Sequence, residues 1–147
     1  MPVTDEMVCF TLYSAARSTT QAYRALLAPW DLTYPQYLVL VLLWNEGVQT
    51  VGSLGDAMQL DSGTLSPLIR RLESAGLVTK RRRADDERVV EVAPTDRGQE
   101  LRGELAHVPA EIARLLGVRD DAHRRRLIAQ LHELTALLPG ADDRANR

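Results

Sequence analysis

The segment Leu60–Ala93 constrains this chain most, because within it the apolar spacing switches from a helical period to that of strands. Leu65, Leu68, Ile69 and Leu72 recur at i, i+3, i+4 and i+7, the stripe of an amphipathic helix. Asp61 or Ser62 stands where an N-cap oxygen is needed, and Gly76 ends the helix. Two β-like runs follow, Leu77–Arg82 and Arg88–Ala93, separated by RADDE, which is a hairpin. Upstream, Val51–Met58 fits a short helix with Val51, Leu54, Ala57 and Met58 on one side, and Gln59 and Leu60 make a tight connector. Two short helices, a tight turn and a hairpin read as a winged helix-turn-helix.

The flanks are helical. A first helix is expected from about Asp5 to Ala28, with apolar or aromatic positions at Val8, Leu12, Ala15, Ala16, Tyr23, Leu26 and Leu27. A second opens near Thr33–Pro35, closes at Gly47 and is apolar on most faces, so it belongs in the core. After Pro94, Thr95 caps a fifth helix whose stripe is Val108, Ile112, Leu115 and Leu116, and a sixth runs from about Asp120 to Leu138. The expected fold is mainly α with a small β-wing and six helices. It divides into N-terminal helices (1–48), the winged helix-turn-helix (49–95), C-terminal helices (96–140) and a disordered tail (141–147). With 147 residues, 45% of them hydrophobic, the chain has the material for one compact domain.

Charge points to the partner. The net charge is −2, yet Leu68–Arg83 carries six cations against one anion, +5 in all, leaving −7 elsewhere. A basic block in an acidic chain is how a nucleic-acid face coexists with a low pI. On the helix after the turn, Ser62, Thr64, Ser66, Pro67, Arg70 and Arg71 lie opposite the apolar stripe. Hydroxyls and guanidinium groups there suit base edges and phosphates of double-stranded DNA in the major groove. On the hairpin, Arg82 and Arg88 add charge, and Arg88 suits a narrow minor groove, with Asp86 holding its guanidinium from two residues away. Gly63 and Pro67 are poor residues for the early turns of a helix, and the sequence supplies no local reason for them.

Several classes are excluded or disfavoured. The longest nearly apolar run, Tyr37–Trp44, is eight residues, against about 20 needed to cross a bilayer. The N-terminus lacks a signal-peptide pattern, so a cytoplasmic protein without membrane association is expected. His107, His123 and His132 have no metal-ligand spacing, and no Gly-rich phosphate loop or catalytic triad stands out, so no metal and no cofactor are expected. The single cysteine, Cys9, has no internal disulfide partner and is either a small core residue or a reactive thiol.

The order of elements, with LDSGTLSPLIRRLESAGLV (Leu60–Val78) and DERVVEVAPTDRG (Asp86–Gly98), resembles the MarR family of bacterial transcriptional regulators over nearly the whole chain. CFTLYSAARS, with Cys9, followed by TYPQYLVLVLLW is similar to the organic-hydroperoxide-sensing OhrR type within that family. The resemblance implies an obligate homodimer joined by the first, fifth and sixth helices, which binds operator DNA while Cys9 is reduced. An organic hydroperoxide oxidises Cys9 and releases the repressor. It also implies two tyrosine hydroxyls donated to the sulfur by the partner subunit, matched here by Tyr23 and Tyr34, with Phe10, Leu12, Tyr13, Tyr37 and Trp44 walling an apolar pocket. Plain core packing is the competing reading for these aromatics. Lacking a resolving cysteine, the sulfenic acid would condense with a small cellular thiol or a backbone nitrogen, or oxidise further. Two alternatives stand beside this: a MarR-type repressor released by a small apolar or phenolic ligand with Cys9 passive, and a thiol peroxidase that is an enzyme.

Overall fold

A computed structural model of the chain describes residues 1–139, so the expected tail at 141–147 lies outside the described residues. These residues form seven α-helices and a small antiparallel sheet. The helices are α1 (Val8–Leu27), α2 (Tyr34–Glu46), α3 (Val51–Met58), α4 (Ser62–Ser74), α5 (Asp96–Glu104), α6 (Val108–Leu115) and α7 (Asp121–Thr135). The strands β1 (Gln49–Thr50), β2 (Val78–Arg82) and β3 (Val90–Pro94) are ordered β1-β3-β2, with Lys80 opposite Val92 and Arg81 opposite Glu91. No single helix among the described residues is long and apolar enough to cross a membrane.

The chain divides into two compact units, Met1–His107 and the residues from Val108 on. In the first, α2 is the central element: Tyr37, Val39, Leu40 and Leu43 are buried, as expected for a helix apolar on most faces. Thr33 starts it with a capping box, accepting the Gln36 N–H while the Gln36 side chain accepts the Thr33 N–H at 2.9 Å. Leu54 from α3, Leu65, Ile69 and Leu72 from α4 and Val92 from β3 are almost fully buried. Removing any one of these leucines to alanine is worth about 2–5 kcal/mol.

Three expectations are corrected. The expected fifth helix is two helices, α5 and α6, interrupted at Leu105–His107. The stripe Leu101, Leu105, Val108, Ile112 stays in phase across the break, which makes the segment read as one helix. Pro109, however, lacks the N–H that would bond to the Leu105 carbonyl and crowds that oxygen. The first helix begins at Val8, and Asp5 and Glu6 belong to a separate 3-10 turn, Val3–Glu6, so Cys9 lies in the first turn of α1. Finally, Phe10 and Tyr13 are 42% and 59% exposed and do not pack in the core of this chain.

Candidate nucleic-acid interface and cysteine site

The tight connector between α3 and α4 turns on Gln59, which adopts a left-handed conformation (φ 61°), while the Leu60 N–H donates to Gly55 O at 2.9 Å. Asp61 then caps α4, its Oδ1 accepting the Thr64 N–H at 2.7 Å. The Thr64 donors hold the Asp61 carboxyl below the usual carboxylate range. Gly63 acquires a local reason here: a Cβ in its place would lie 3.2 Å from that capping oxygen. Pro67, inside the helix, withdraws the donor that would pair with the Gly63 carbonyl. With Leu65, Ile69 and Leu72 buried, Ser62, Thr64, Ser66, Arg70 and Arg71 are exposed and Pro67 is half-buried. Arg70 and Arg71 have no carboxylate partner among the described residues, so their charge is free for an external anion.

The hairpin is organised by ion pairs and one carbonyl. Arg88 Nε donates to Asp86 Oδ1 at 3.1 Å, and the Arg88 backbone N–H meets the same oxygen at 3.1 Å. The structure thus brings Asp86 and Arg88 together, lowers the Asp86 pKa through the Arg88 guanidinium, and leaves the Arg88 side chain 91% exposed at the tip. Arg82 is turned inward along the hairpin, its Nη1 donating to Glu87 O at 2.8 Å. Glu91 pairs with both Arg81 (3.6 Å) and Arg83 (3.3 Å), and Glu73 pairs with Lys80 Nζ at 3.6 Å. A groove of about 430 Å³ runs between α4 and the hairpin, where Ser66, Arg70, Lys80 and Arg88 face the start of α3 at Thr50–Gly52. Lys80 and Glu73 belong to the charged block Leu68–Arg83 read from the sequence, but their pairing with each other, and that of Glu91 with Arg81 and Arg83, was not legible there. The cross-strand register, which sets Arg81 opposite Glu91, is the signal that would have found the last.

Cys9 lies elsewhere. It is exposed, and its thiol makes no hydrogen bond among the described residues. The tyrosines form their own cluster: Tyr23 stacks on Tyr34 with ring centroids 4.0 Å apart, Tyr37 lies 5.9 Å from Tyr23, and Trp44 meets Tyr37 edge-on at 6.2 Å. Burial, reinforced by the neighbouring phenols, pushes Tyr23 up to about 12 and raises Tyr37 as well. Cys9 and Tyr23 share α1 but are separated by roughly 21 Å at about 1.5 Å per residue, so one chain cannot bring them into contact. Around Cys9 the exposed side chains include the apolar Met7, Val8, Phe10 and Tyr13 together with the polar or charged Asp5, Glu6 and Thr11. On α7, no residue is buried, and Ile128, Leu131 and Leu134 are exposed. Among the described residues no cluster of His, Cys, Asp and Glu has the form of a metal site.

Two short helices joined at a left-handed residue, a capped second helix with hydroxyls and guanidinium groups outward, and a basic hairpin beside it define a winged-helix protein. The chain belongs to the MarR family, which it matches over residues 32–90. It is 44% identical over 123 residues to the HTH-type transcriptional regulator TtmR of Methylorubrum extorquens (strain PA1), an alignment covering 84% of this chain and 63% of that protein. It is 41% identical over 108 residues to the organic hydroperoxide resistance transcriptional regulator of Bacillus subtilis (strain 168), 74% of each chain. Among solved structures, reduced AbfR of Staphylococcus epidermidis bound to DNA matches with a TM-score of 0.76 and 32% identity over 88% of this chain and 91% of that one. These relatives are named as transcriptional regulators, not as enzymes.

Proposed function

We propose that this chain is a redox-responsive repressor that binds operator DNA as a homodimer while Cys9 is reduced and leaves it when an organic hydroperoxide oxidises Cys9. The observation that carries the reading is the setting of Cys9: an exposed thiol in the first turn of α1, beside the exposed apolar side chains of Met7, Val8, Phe10 and Tyr13, with no hydrogen-bond partner for its sulfur among the described residues. Such a site is completed by a second copy. The Tyr23 and Tyr34 hydroxyls of the partner subunit would then donate to the sulfur, with Phe10, Tyr13 and Tyr37 sheltering the hydroperoxide's apolar tail. The reading is supported by 41% identity to a regulator named for organic hydroperoxide resistance.

The chemistry follows from the thiolate, which attacks the hydroperoxide O–O bond. An S–O bond forms, the alcohol leaves and the sulfur becomes a sulfenic acid. A small cellular thiol then condenses with it, releasing water and leaving a mixed disulfide. An adduct too bulky for the pocket shifts the two subunits. DNA is lost because half-sites about 34–36 Å apart tolerate little change in the spacing of the α4 helices.

On the DNA, α4 enters the major groove with Ser62, Thr64, Ser66, Arg70 and Arg71, and Arg88 at the hairpin tip reaches the adjacent minor groove. The test is a mobility shift on the DNA upstream of its own gene, with and without cumene hydroperoxide, for wild type and Cys9→Ser. Release of wild type alone is the expected result. Retention of both would assign the pocket to a small apolar or phenolic ligand with Cys9 passive.

A further inference from the structure

The tyrosine cluster does not end at Tyr37. Trp44, in the last turn of α2, packs against Tyr37 in a T-shaped arrangement and donates its indole N–H to Gly98 O at 2.9 Å. Gly98 lies in the first turn of α5 and has no slack: a Cβ there would stand 2.1 Å from Leu77 O. The same turn is tied to the end of α4 by Thr95, whose hydroxyl donates to Gly76 O at 2.6 Å and whose N–H donates to Leu77 O at 3.0 Å. Gly76 and Leu77 join the DNA-facing helix α4 to the hairpin strand β2. One α5 turn further on, Arg102 Nη1 donates to Trp44 O at 2.9 Å, so α5 grips the end of α2 at two points.

We infer that Trp44 is a positioning residue that couples the packing of Tyr23, Tyr34 and Tyr37 to the angle between α4 and the hairpin. The stimulus rests on the function proposed above, whereas the wiring rests on these contacts alone. A shift of Tyr34 or Tyr37 moves α2. The indole N–H transmits that movement to Gly98, and Gly98, in contact with the Leu77 carbonyl, passes it to the joint between the two DNA-facing elements. By linkage the coupling runs both ways, so DNA bound at α4 and the hairpin perturbs the surroundings of Trp44.

The experiment uses Trp44→Phe, which keeps a ring against Tyr37 and removes the N–H donor together with part of the indole's bulk. Affinity for the upstream duplex is measured before and after cumene hydroperoxide with a small thiol. The untreated variant is expected to bind within about three-fold of wild type, while the ratio of untreated to treated affinity falls by about ten-fold, within the usual range of coupling. A purely structural role lowers melting temperature and weakens both forms equally, leaving the ratio intact; an unchanged ratio overturns the inference. Should wild type itself ignore the hydroperoxide, the proposed function fails, and the wiring is decided by a second measurement. In Trp30→Phe, Trp44 is the only tryptophan, and saturation with duplex should shift its emission maximum. An emission maximum unmoved at saturation overturns the inference, and the same measurement decides if Trp44→Phe fails to fold.

Discussion

The α4–hairpin region and the first turns of α1 differ in one respect: polar groups of the first meet partners within the chain, whereas the Cys9 thiol meets none among the described residues. Around α4 and the hairpin, Asp61, Thr95, Asp86, Glu73 and Glu91 each hold a neighbour by a named contact, and the apolar face of α4 is buried. Around Cys9, by contrast, Met7, Val8, Phe10 and Tyr13 face outward and the sulfur has no partner. Under the proposed function, a self-contained DNA-binding region joined to an unpartnered thiol is what a regulator needs if a second subunit is to complete the sensor and set the spacing of the two α4 helices. It also separates the two kinds of defect: changes in the DNA-binding region act on one chain, and changes at the sensor act on the pair.

That contrast can be broken at either end. The largest effect is expected from the double change Leu131→Asp and Leu134→Asp on α7, which should weaken self-association about 100-fold or more by forcing charge into an apolar contact. Light scattering would then report half the wild-type mass, and an unchanged mass would remove α7 from the interface. Next, Gly98→Ala places a methyl against the Leu77 carbonyl and should cost about 2–3 kcal/mol in urea unfolding, as overpacking does. A neutral Gly98→Ala would mean that the α5 turn is looser than its contacts suggest. Arg88→Ala is expected to weaken DNA binding about ten-fold for any sequence and to reduce the salt slope by about 1. A slope equal to wild type would take the hairpin tip off the DNA.

The smallest effect is a pH limb. Asp61 and Asp86 have pKa values lowered in the folded chain, so their contribution to stability is present above the unfolded value near 3.8 and is lost as pH falls through the lower folded values. Asp61→Asn keeps a capping oxygen without the titration, since asparagine caps as well as aspartate. The variant's acid unfolding below pH 4 should therefore be shallower than that of wild type, and identical acid limbs would show that the cap does not titrate with folding.

Much of this was legible in the sequence because short-range chemistry decides it. Thr33, Asp61 and Thr95 announce helix starts through their own side chains, and the apolar stripe of α4 dictates which face remains for DNA. The Asp86–Arg88 contact spans two residues and needs only the turn between them. What escaped depends on partners distant in sequence. The hydrogen bond from Trp44 to Gly98 spans 54 residues, and β1 is a two-residue strand that exists only because Gln49 and Thr50 pair with Val92 and Glu91. The α5–α6 break escaped for the opposite reason, since an unbroken apolar phase outweighed Pro109. The hydrogen bond from Arg82 to the Glu87 carbonyl escaped as well, since nothing in its local sequence distinguishes Arg82 from Arg81 or Arg83.

Under the proposed function the two regions are joined, because oxidation at Cys9 governs what α4 and the hairpin do on DNA. The most direct test is the Kd of the reduced protein for the duplex upstream of its own gene, before and after one equivalent of cumene hydroperoxide with a small thiol, for wild type and Cys9→Ser side by side. Wild type is expected to weaken about 100-fold, near the upper end of usual coupling, while Cys9→Ser does not change. Equal Kd values for treated and untreated wild type, or equal weakening in Cys9→Ser, would contradict it.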